Sequence, residues 1–306
     1  MQNSFDGSQN FGSSVDDVIG LELEHESWIV DPFLPAGGKM LLYGETGVGK
    51  SQIAMTMALA CLQGAPFLGK FPTQRGNICY IQADMPLVEW KERLARSCSH
   101  LSDRSGFFQI YCAETLNILN EARRPDSSQF REWIIEFDPS LVIVDVLSET
   151  HQEDENDNSV PGPVYHAWRK IVGPKPGILF VHHEKKPSEF RNNKYAFSGA
   201  HKWLDLCSSS LRVSESRNVI YLENPKAARN AKRMEKLALR RDEETLLVYP
   251  SKPVEAVFQQ MVEQGKSIKE IVAEVTNAHK YQDGIMSQPT AYRKLKQMNY
   301  QPKTNV

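Results

Sequence analysis

The 306-residue sequence lacks a long apolar run, which excludes an integral membrane protein of the helical class. No stretch approaches the roughly 18 uninterrupted apolar residues that a membrane-spanning helix needs. Residues 1–14 are polar and rich in Ser, Asn and Gly, so they do not resemble a signal peptide. We therefore expect a cytoplasmic protein without a membrane partner, and we expect residues 1–15 to form a disordered tail.

The sequence also has few cysteines, and their spacing excludes the common zinc and disulfide patterns. The five are Cys61, Cys79, Cys98, Cys112 and Cys207. Their number is odd, and no C-x-x-C pair or Cys/His ligand spacing occurs among them. We expect reduced thiols packed inside the fold.

No large excess of one charge is present, since the formal net charge is -2. The charges are nevertheless uneven along the chain. Residues 226–306 hold 15 Lys and Arg against 9 Asp and Glu, whereas the remainder holds 21 against 29. A basic end on an acidic protein suggests contact with a polyanion, although a solvated charged surface is the common alternative.

What the sequence does contain is the segment Gly44-Glu45-Thr46-Gly47-Val48-Gly49-Lys50-Ser51. It fits the template G-x-x-x-x-G-K-[ST] and lies between an apolar run at residues 39–43 and a helical pattern that begins at Gln52. The template predicts a loop whose backbone N–H groups face the phosphates of a nucleoside triphosphate. Lys50 would reach the β and γ oxygens, and the Ser51 hydroxyl would ligate Mg²⁺.

Apolar runs alternate with helical patterns through residue 181, as expected for an α/β fold. The predicted strands are 39–43, 76–82, 107–111, 141–145 and 177–181, and the predicted helices are 52–62, 86–99, 128–137 and 164–171. This alternation predicts a mostly parallel sheet covered by helices on both faces. Strands at 219–222, 237–240 and 245–248 lack intervening helices, which predicts antiparallel strands on one edge.

The pattern changes near residue 250, which divides the chain into a core at 16–249, a linker at 250–253 and a helical module at 254–306. Helices are predicted at 254–264, 267–275 and 287–298, with Ser267 and Ser287 as caps. In the last helix, Ala291, Leu295 and Met298 are expected to be buried. Exposed Gln288, Thr290, Arg293 and Lys294 would give it the character of a helix-turn-helix recognition helix. A small docking or oligomerisation module is the alternative.

Asp145 is the candidate for a second metal ligand, because it ends the buried apolar run Leu141 to Val144. A carboxylate at the end of a buried strand is the usual partner of a phosphate loop in holding Mg²⁺. The spacing also leaves room for another strand between the strands that carry the two motifs, as in RecA-like proteins.

Hydrolysis requires a group that orients the attacking water, and Asp84 is the first candidate. It follows the predicted strand at 76–82, so its carboxylate would emerge at the edge where phosphates bind. The alternative is that Asp84 caps the helix beginning near Pro86. Glu149, four residues after Asp145, is the second candidate.

His182 and His183 follow the next buried strand and are expected to reach the same sheet edge, where they could sense the γ-phosphate. Exposed loop histidines are the alternative, and zinc binding is weakly supported. The following segment, 184–197, mixes cations with aromatics, which is typical of a loop that binds single-stranded DNA. Its candidate contacts are Lys185, Lys186, Phe190, Arg191, Lys194 and Tyr195. A plain solvated loop is the alternative.

Taken in order, these elements resemble the RecA-fold ATPases related to plasmid RepA-type hexameric replicative helicases and, more distantly, DnaB. The resemblance covers roughly residues 28–249. Besides the two phosphate-site motifs, it is carried by Trp28-Ile29-Val30-Asp31, Pro35, Gly37, Phe67-Leu68-Gly69, Tyr80-Ile81-Gln82-Ala83-Asp84, Asp154-Glu155-Asn156-Asp157, His182-His183 and Ser198-Gly199-Ala200.

The resemblance implies that Asp84 occupies the position of the catalytic carboxylate, which is usually Glu, and that the histidine pair senses phosphate. It further implies a cation donated by a neighbouring subunit, for which Lys226 with Arg229, or Arg212, are candidates. A solvated basic turn is the alternative for each. A donated cation would require a homo-oligomer, either a hexameric ring or a filament.

Two functions from different classes fit these observations. One is a DNA helicase or helicase-like motor of a plasmid, phage or other mobile element. The other is a DNA-bound regulatory or loading ATPase that assembles with ATP and reads duplex DNA through its C-terminal module. A small-molecule kinase fits less well, because no lid for an acceptor substrate is evident.

Overall fold

The computed structural model describes Val15 and residues 27–112, 116–184, 201–216, 219–227, 233–251, 254–276 and 286–301. Its strands are β1 (Trp28–Val30), β2 (Leu34–Pro35), β3 (Lys39–Gly44), β4 (Ile78–Gln82), β5 (Phe107–Tyr111), β6 (Leu141–Asp145), β7 (Gly177–His183), β8 (Ser209–Ser216), β9 (Val219–Lys226), β10 (Leu237–Arg241) and β11 (Val248–Pro250). Its helices are α1 (Lys50–Gln63), α2 (Leu87–Ser97), α3 (Ile118–Arg123), α4 (Gln129–Phe137), α5 (Pro161–Val172), α6 (Lys202–Asp205), α7 (Val254–Glu263), α8 (Ile268–Val275) and α9 (Gln288–Gln297).

One sheet organises the core, with nine strands in the order β11-β10-β9-β8-β3-β7-β6-β4-β5. The strands from β8 to β5 run parallel to one another, and β9, β10 and β11 add as antiparallel neighbours beyond β8. The strands β1 and β2 form a separate antiparallel pair. This is the predicted fold class, a RecA-like P-loop fold with antiparallel strands on one edge.

The strand β7 lies between β3 and β6, although it follows β6 in the chain. The expected strand between the two phosphate-site motifs is therefore the one that carries the histidines. Gly44 of β3 pairs in register with His183, and Asp145 of β6 pairs with Gln82 of β4. Because parallel strands end at the same edge, this register brings four distant segments of the chain together.

Helices cover both faces of the sheet, as the side-chain alternation of the strands requires. In β6, Ile143 packs into the core that contains α1 and α2, whereas Val142 and Val144 pack into the opposite core with α3, α4 and α5. Each central strand is buried on both sides, so it appears in the sequence as a continuous apolar run.

The helix α1 is central to one face and is buried on nearly all sides. Its Ala, Met and Leu side chains suit a helix without a wide solvent-facing stripe. It begins after Gly49 and ends at Gly64, which adopts the left-handed backbone conformation common just past a helix. This start places the helix N-terminus directly at the phosphate loop.

Several elements differ from the sequence-based expectations. The strand β8 was not predicted, because its alternating Ser residues break the apolar run, although Ser209 and Ser210 are fully buried. The short helices α3 and α6 were also missed. The last strand begins at Val248 rather than Thr245 and includes Pro250, so it extends into the expected linker. Among the described residues, no helix is long and apolar enough to cross a membrane.

The C-terminal helices α7, α8 and α9 share a hydrophobic cluster of their own. Ser267 caps α8 as expected, since its hydroxyl accepts from the backbone N–H of Glu270. In α9, Ala291 and Leu295 are buried as predicted, but Met298 is 45% exposed. The prediction for Met298 was wrong: α9 ends at Gln297, and Met298 follows it as the exposed residue at the helix C-terminus.

Ser287 also departs from the expectation. It precedes α9 at the cap position, but its hydroxyl pairs with the hydroxyl of Thr290 at 2.8 Å and makes no capping bond to a backbone N–H. Pro289 lies in the first turn of α9, where a missing backbone N–H costs little.

Candidate nucleotide-binding site

Residues 44–51 form a loop between β3 and α1, and its glycines are structurally required. Gly47 and Gly49 have φ angles of 84° and 98°, a region that other residues enter only with strain. A Cβ on Gly44 would lie 2.2 Å from the carbonyl oxygen of Val213 on β8, so a side chain cannot be accommodated there. The loop thus leads into the N-terminal end of α1, whose free N–H groups and dipole favour an anion.

Lys50 places a buried ammonium group inside this loop, with only 5% of the residue exposed. Its Nζ donates to the carbonyl oxygens of Gly44 at 3.0 Å and Glu45 at 2.8 Å. A third contact, of 3.2 Å, joins Nζ to Nδ1 of His183. The cation is therefore surrounded by neutral acceptors, which a phosphate can replace.

Burial lowers the pKa of Lys50 to about 8, although nearby carboxylates, that of Asp145 most strongly, oppose this effect. Burial, and next the charge of Lys50, lower the pKa of His183, which Asp84 in turn raises. At neutral pH Lys50 is therefore mostly protonated and His183 is neutral. Nδ1 of His183 then accepts from Lys50, which leaves the proton of the ring on Nε2.

Asp145 ends β6 with a carboxylate that is almost completely buried. Its Oδ1 accepts from the Ser51 hydroxyl at 3.2 Å, and its Oδ2 accepts from the Tyr80 hydroxyl at 2.6 Å. Burial raises the pKa of Asp145, while the hydrogen bonds from Tyr80 and Ser51 act in the opposite direction. The two predicted metal ligands, Ser51 and Asp145, are thus in direct contact.

Ser51 and Asp145 suit Mg²⁺, which prefers oxygen ligands and commonly takes one or two carboxylates together with substrate phosphates. Within the described part of the chain, no three His, Cys, Asp or Glu side chains cluster as a metal site. The remaining ligands of Mg²⁺ here would therefore be phosphate oxygens and water. Bound there, Mg²⁺ would neutralise phosphate charge.

Asp84 follows β4 at the same sheet edge as the phosphate loop, which is the position expected for it. Its carboxylate is 53% exposed and lies 4.0 Å from Nε2 of His183. Its backbone N–H donates to the side chain of the buried Gln82 at 3.0 Å. The alternative role as a helix cap is not supported, because α2 begins after Pro86 and has no side-chain cap.

The two histidines lie on opposite faces of the sheet, which corrects the expectation that both reach the phosphate. His183 faces the loop, where Nδ1 is 3.3 Å from the Thr46 hydroxyl. His182 is completely buried on the other face, with Nδ1 3.5 Å from Glu155 and its ring 5.9 Å from that of Trp203. Since β7 continues through both residues, strand alternation separates them.

Glu149 does not join the site. It is exposed on a 3-10 turn at 147–150, and among the described residues no hydrogen bond or ion pair connects it to the phosphate loop. Asp84 is therefore the better-placed candidate for orienting water.

The candidate finger cations have partners in their own chain. Arg212 forms a two-pronged ion pair with the buried Glu184, at 2.9 and 3.1 Å. Nζ of Lys226 donates to the last carbonyls of α6, those of Leu204 and Asp205. Both cations therefore have partners within their own chain, and the donation of either to a neighbouring subunit stays a prediction. Arg229 lies outside the described residues.

Four functional neighbours of the site were not predicted from sequence. Tyr80 holds Asp145, Gln82 holds the backbone of Asp84, and Glu184 donates its backbone N–H to Gly44 at 2.8 Å. Arg241 of β10 lies beside the loop, with Nη2 3.5 Å from the position that a Cβ on Gly49 would occupy. Polar residues inside the otherwise apolar strand β4 were the available signal for Tyr80 and Gln82.

The candidate DNA contacts at Lys185, Lys186, Phe190, Arg191, Lys194 and Tyr195 lie outside the described residues. Those of α9 lie within them. Gln288 and Arg293 are exposed, while Thr290 and Lys294 are half-buried. Nζ of Lys294 lies 5.8 Å from the ring centre of Phe258 in α7.

Similarity to known proteins identifies the family of this chain. No curated protein matches it. The crystal structure of the flagellar accessory protein FlaH from Methanocaldococcus jannaschii covers 71% of this chain and 91% of its own, at 11% identity and a TM-score of 0.48. A family model described as an AAA domain matches residues 7–189, which span the phosphate loop, Asp84, Asp145 and His183. The chain therefore belongs to the AAA domain family and is a P-loop ATPase.

Proposed function

We propose that this ATPase acts on DNA as a helicase or helicase-like motor of a plasmid, phage or other mobile element. The observation that carries the proposal is the position of His183. It contacts Lys50 in the phosphate loop, and the chain continues from it directly into the basic and aromatic segment 184–197. A group that reads the phosphate thus adjoins a segment with the composition of a single-strand-binding loop.

The chemistry of the site follows from its described contacts. Lys50 exchanges the carbonyls of Gly44 and Glu45 for phosphate oxygens, and the loop N–H groups hold the remaining charge. Asp84, at the open side of the site, orients the attacking water toward the γ-phosphate. His183 lies between Lys50 and Asp84, so its imidazole responds to the presence of the γ-phosphate.

The route from nucleotide to DNA would run through Glu184. Its backbone N–H is bonded to Gly44, and its side chain is held by Arg212 on β8. These contacts fix the start of segment 184–197 to the phosphate loop. A change at His183 is thereby transmitted to the DNA-binding segment rather than absorbed locally.

Assembly and duplex binding complete the proposal. A ring or filament of identical subunits would supply the cation that completes the site, and Lys226, Arg229 and Arg212 are its candidates. The basic balance of residues 226–306 and the exposed Gln288 and Arg293 of α9 support a C-terminal module that contacts duplex DNA.

One observation favours the alternative function, a DNA-bound regulatory or loading ATPase. Asp84 is one methylene shorter than the glutamate usual in the resembling family, and its carboxylate is half-exposed. A badly placed carboxylate slows hydrolysis strongly, because water must be held within a narrow geometry. Slow hydrolysis suits a switch that assembles with ATP better than it suits a motor.

The first prediction concerns Lys50. Lys50→Ala removes the buried ammonium, so ATP should bind about 10- to 100-fold more weakly, as expected for loss of a hydrogen bond to a charged group. Titration with a fluorescent ATP analogue measures this directly. Lys39→Ala is a control at the opposite end of β3, away from the loop, and unchanged binding in Lys50→Ala would overturn the site assignment.

The second prediction concerns Asp84. Asp84→Asn should lower kcat about 10²- to 10⁴-fold, in the range seen for loss of a proton-transferring group, while ATP affinity stays within about twofold. Glu149→Gln is the matched control and should retain activity, because Glu149 is remote from the loop. The reverse result, with Glu149→Gln inactive, would transfer the role to Glu149.

The third prediction separates the two histidines. His183→Gln should lower kcat about tenfold or more without lowering the melting temperature much, because His183 is partly exposed at the loop. His182→Gln should instead lower the melting temperature, because a completely buried side chain is altered. Equal effects of both substitutions on kcat at full stability would contradict the separation of their roles.

The fourth prediction concerns DNA. Single-stranded DNA should raise the ATPase rate several-fold, and the stimulation should fall with added salt, since phosphate contacts release counterions. Substituting Lys185, Lys186, Arg191 and Lys194 together by Ala should remove the stimulation but leave the basal rate. Measuring the molecular mass of the protein in the same samples, with ATP and single-stranded DNA, shows whether the subunits assemble into an oligomer.

Deletion of residues 252–306 distinguishes the two functions. A motor should keep single-strand stimulation and lose only duplex binding. Absence of stimulation in the full chain, together with tight sequence-specific duplex binding that Arg293→Ala weakens, would contradict the motor and favour the regulator.

A further inference from the structure

The buried carboxylate of Asp145 is held by one donor on each oxygen. The Ser51 hydroxyl lies 3.2 Å from Oδ1, and the Tyr80 hydroxyl lies 2.6 Å from Oδ2. With both oxygens engaged, the carboxylate cannot rotate freely about its Cβ–Cγ bond. Of the two donors, only Ser51 belongs to the phosphate loop.

Tyr80 is built rigidly into the core of the protein. It lies in the middle of β4 and is completely buried. Its ring centre is 4.9 Å from that of Trp90 and 6.2 Å from that of Phe107. Two flanking aromatic rings fix the plane of the phenol, so the hydroxyl has one direction in which to donate.

A buried carboxylate needs donors, because a charge that leaves water without compensation is strongly disfavoured. In the pairing of β4 with β6, Asp145 lies opposite Gln82, and Tyr80 lies opposite Ile143. The donor to Oδ2 of Asp145 is nevertheless Tyr80. The phenol side chain is long enough to reach from its own position, opposite Ile143, to the carboxylate two residues further along β6. A phenylalanine at position 80 would fill the same space without supporting Asp145.

We propose that Tyr80 is a positioning residue for Mg²⁺, whose hydroxyl keeps the Asp145 carboxylate turned toward Ser51. The inference depends on nucleotide and Mg²⁺ binding at the phosphate loop, but it does not depend on any action on DNA. Residues that orient a metal ligand in this way typically change metal affinity 10- to 100-fold when they are removed.

The test is Tyr80→Phe in the full-length protein, measured by nucleotide binding rather than by hydrolysis. A fluorescent ATP analogue is titrated first in EDTA and then at increasing Mg²⁺. In EDTA, the affinity should stay within about twofold of the original protein. The Mg²⁺ concentration that gives half of the metal-dependent gain in affinity should rise about tenfold or more.

Tyr165→Phe is the matched control, because Tyr165 is also a fully buried tyrosine with a hydrogen-bonded hydroxyl. Its hydroxyl donates to the carbonyl of Trp203 on the opposite face of the sheet. This variant loses a buried hydrogen bond too, but its Mg²⁺ dependence should match that of the original protein. Equal Mg²⁺ dependence in Tyr80→Phe and the original protein would overturn the proposal.

Two further measurements keep the outcomes distinct. If the original protein binds the analogue without any gain from Mg²⁺, the metal site itself is wrongly assigned. In the Asp145→Asn background, Tyr80→Phe should cause no further change, since both substitutions act through one carboxylate. An additive change would show that Tyr80 acts elsewhere.

Folding is monitored by thermal unfolding. If Tyr80→Phe unfolds below the working temperature, Tyr80→His and Tyr80→Leu replace it as a pair. Histidine keeps an N–H donor on a smaller ring and should retain more of the Mg²⁺-dependent gain than leucine does. Equal gains in the two variants would contradict the proposal.

Discussion

Two buried charges of opposite sign, Lys50 and Asp145, are the constraint on which the rest of the site depends. Both are almost fully removed from water. Each is compensated by neutral groups: carbonyls and an imidazole around Lys50, and the hydroxyls of Tyr80 and Ser51 around Asp145. Because neutral partners solvate a charge without cancelling it, each remains able to bind a ligand of opposite sign. Phosphate and a divalent cation are the ligands that match.

Such an arrangement needs four distant segments of the chain at one place, and the strand order provides it. Since β7 lies between β3 and β6, the imidazole of His183 stands level with Gly44 at the start of the phosphate loop. The register of β4 and β6 likewise sets Asp84 just beyond Asp145. A hydrogen bond from the backbone N–H of Ala83 to the carbonyl oxygen of Asp145 holds these two strand ends together. Site geometry is therefore a direct consequence of sheet topology.

The phosphate loop, Asp145 and the parallel sheet could be predicted from sequence, because local spacing and apolar runs determine them. The placement of the histidines could not, since the apolar run ends at Val181 and gives no sign that β7 continues through His183. Strand alternation could be applied only once that length was known. Contacts across the sheet, such as Arg212 with Glu184 and Tyr80 with Asp145, depend on strand order and register, which local patterns do not contain.

In the proposed mechanism, the imidazole of His183 links nucleotide binding to hydrolysis. While Lys50 donates to its Nδ1, the other nitrogen faces Asp84 at 4.0 Å, which is longer than a hydrogen bond. When Lys50 turns to phosphate, Nδ1 loses that donor and keeps its contact with the Thr46 hydroxyl at 3.3 Å, so the ring is held less tightly beside the phosphate and Asp84. The backbone of Asp84 is held by Gln82, while its carboxylate stays about half exposed beside the ring. In the proposed mechanism, the rate of hydrolysis therefore depends on the position of the imidazole as well as on the length of the Asp84 side chain.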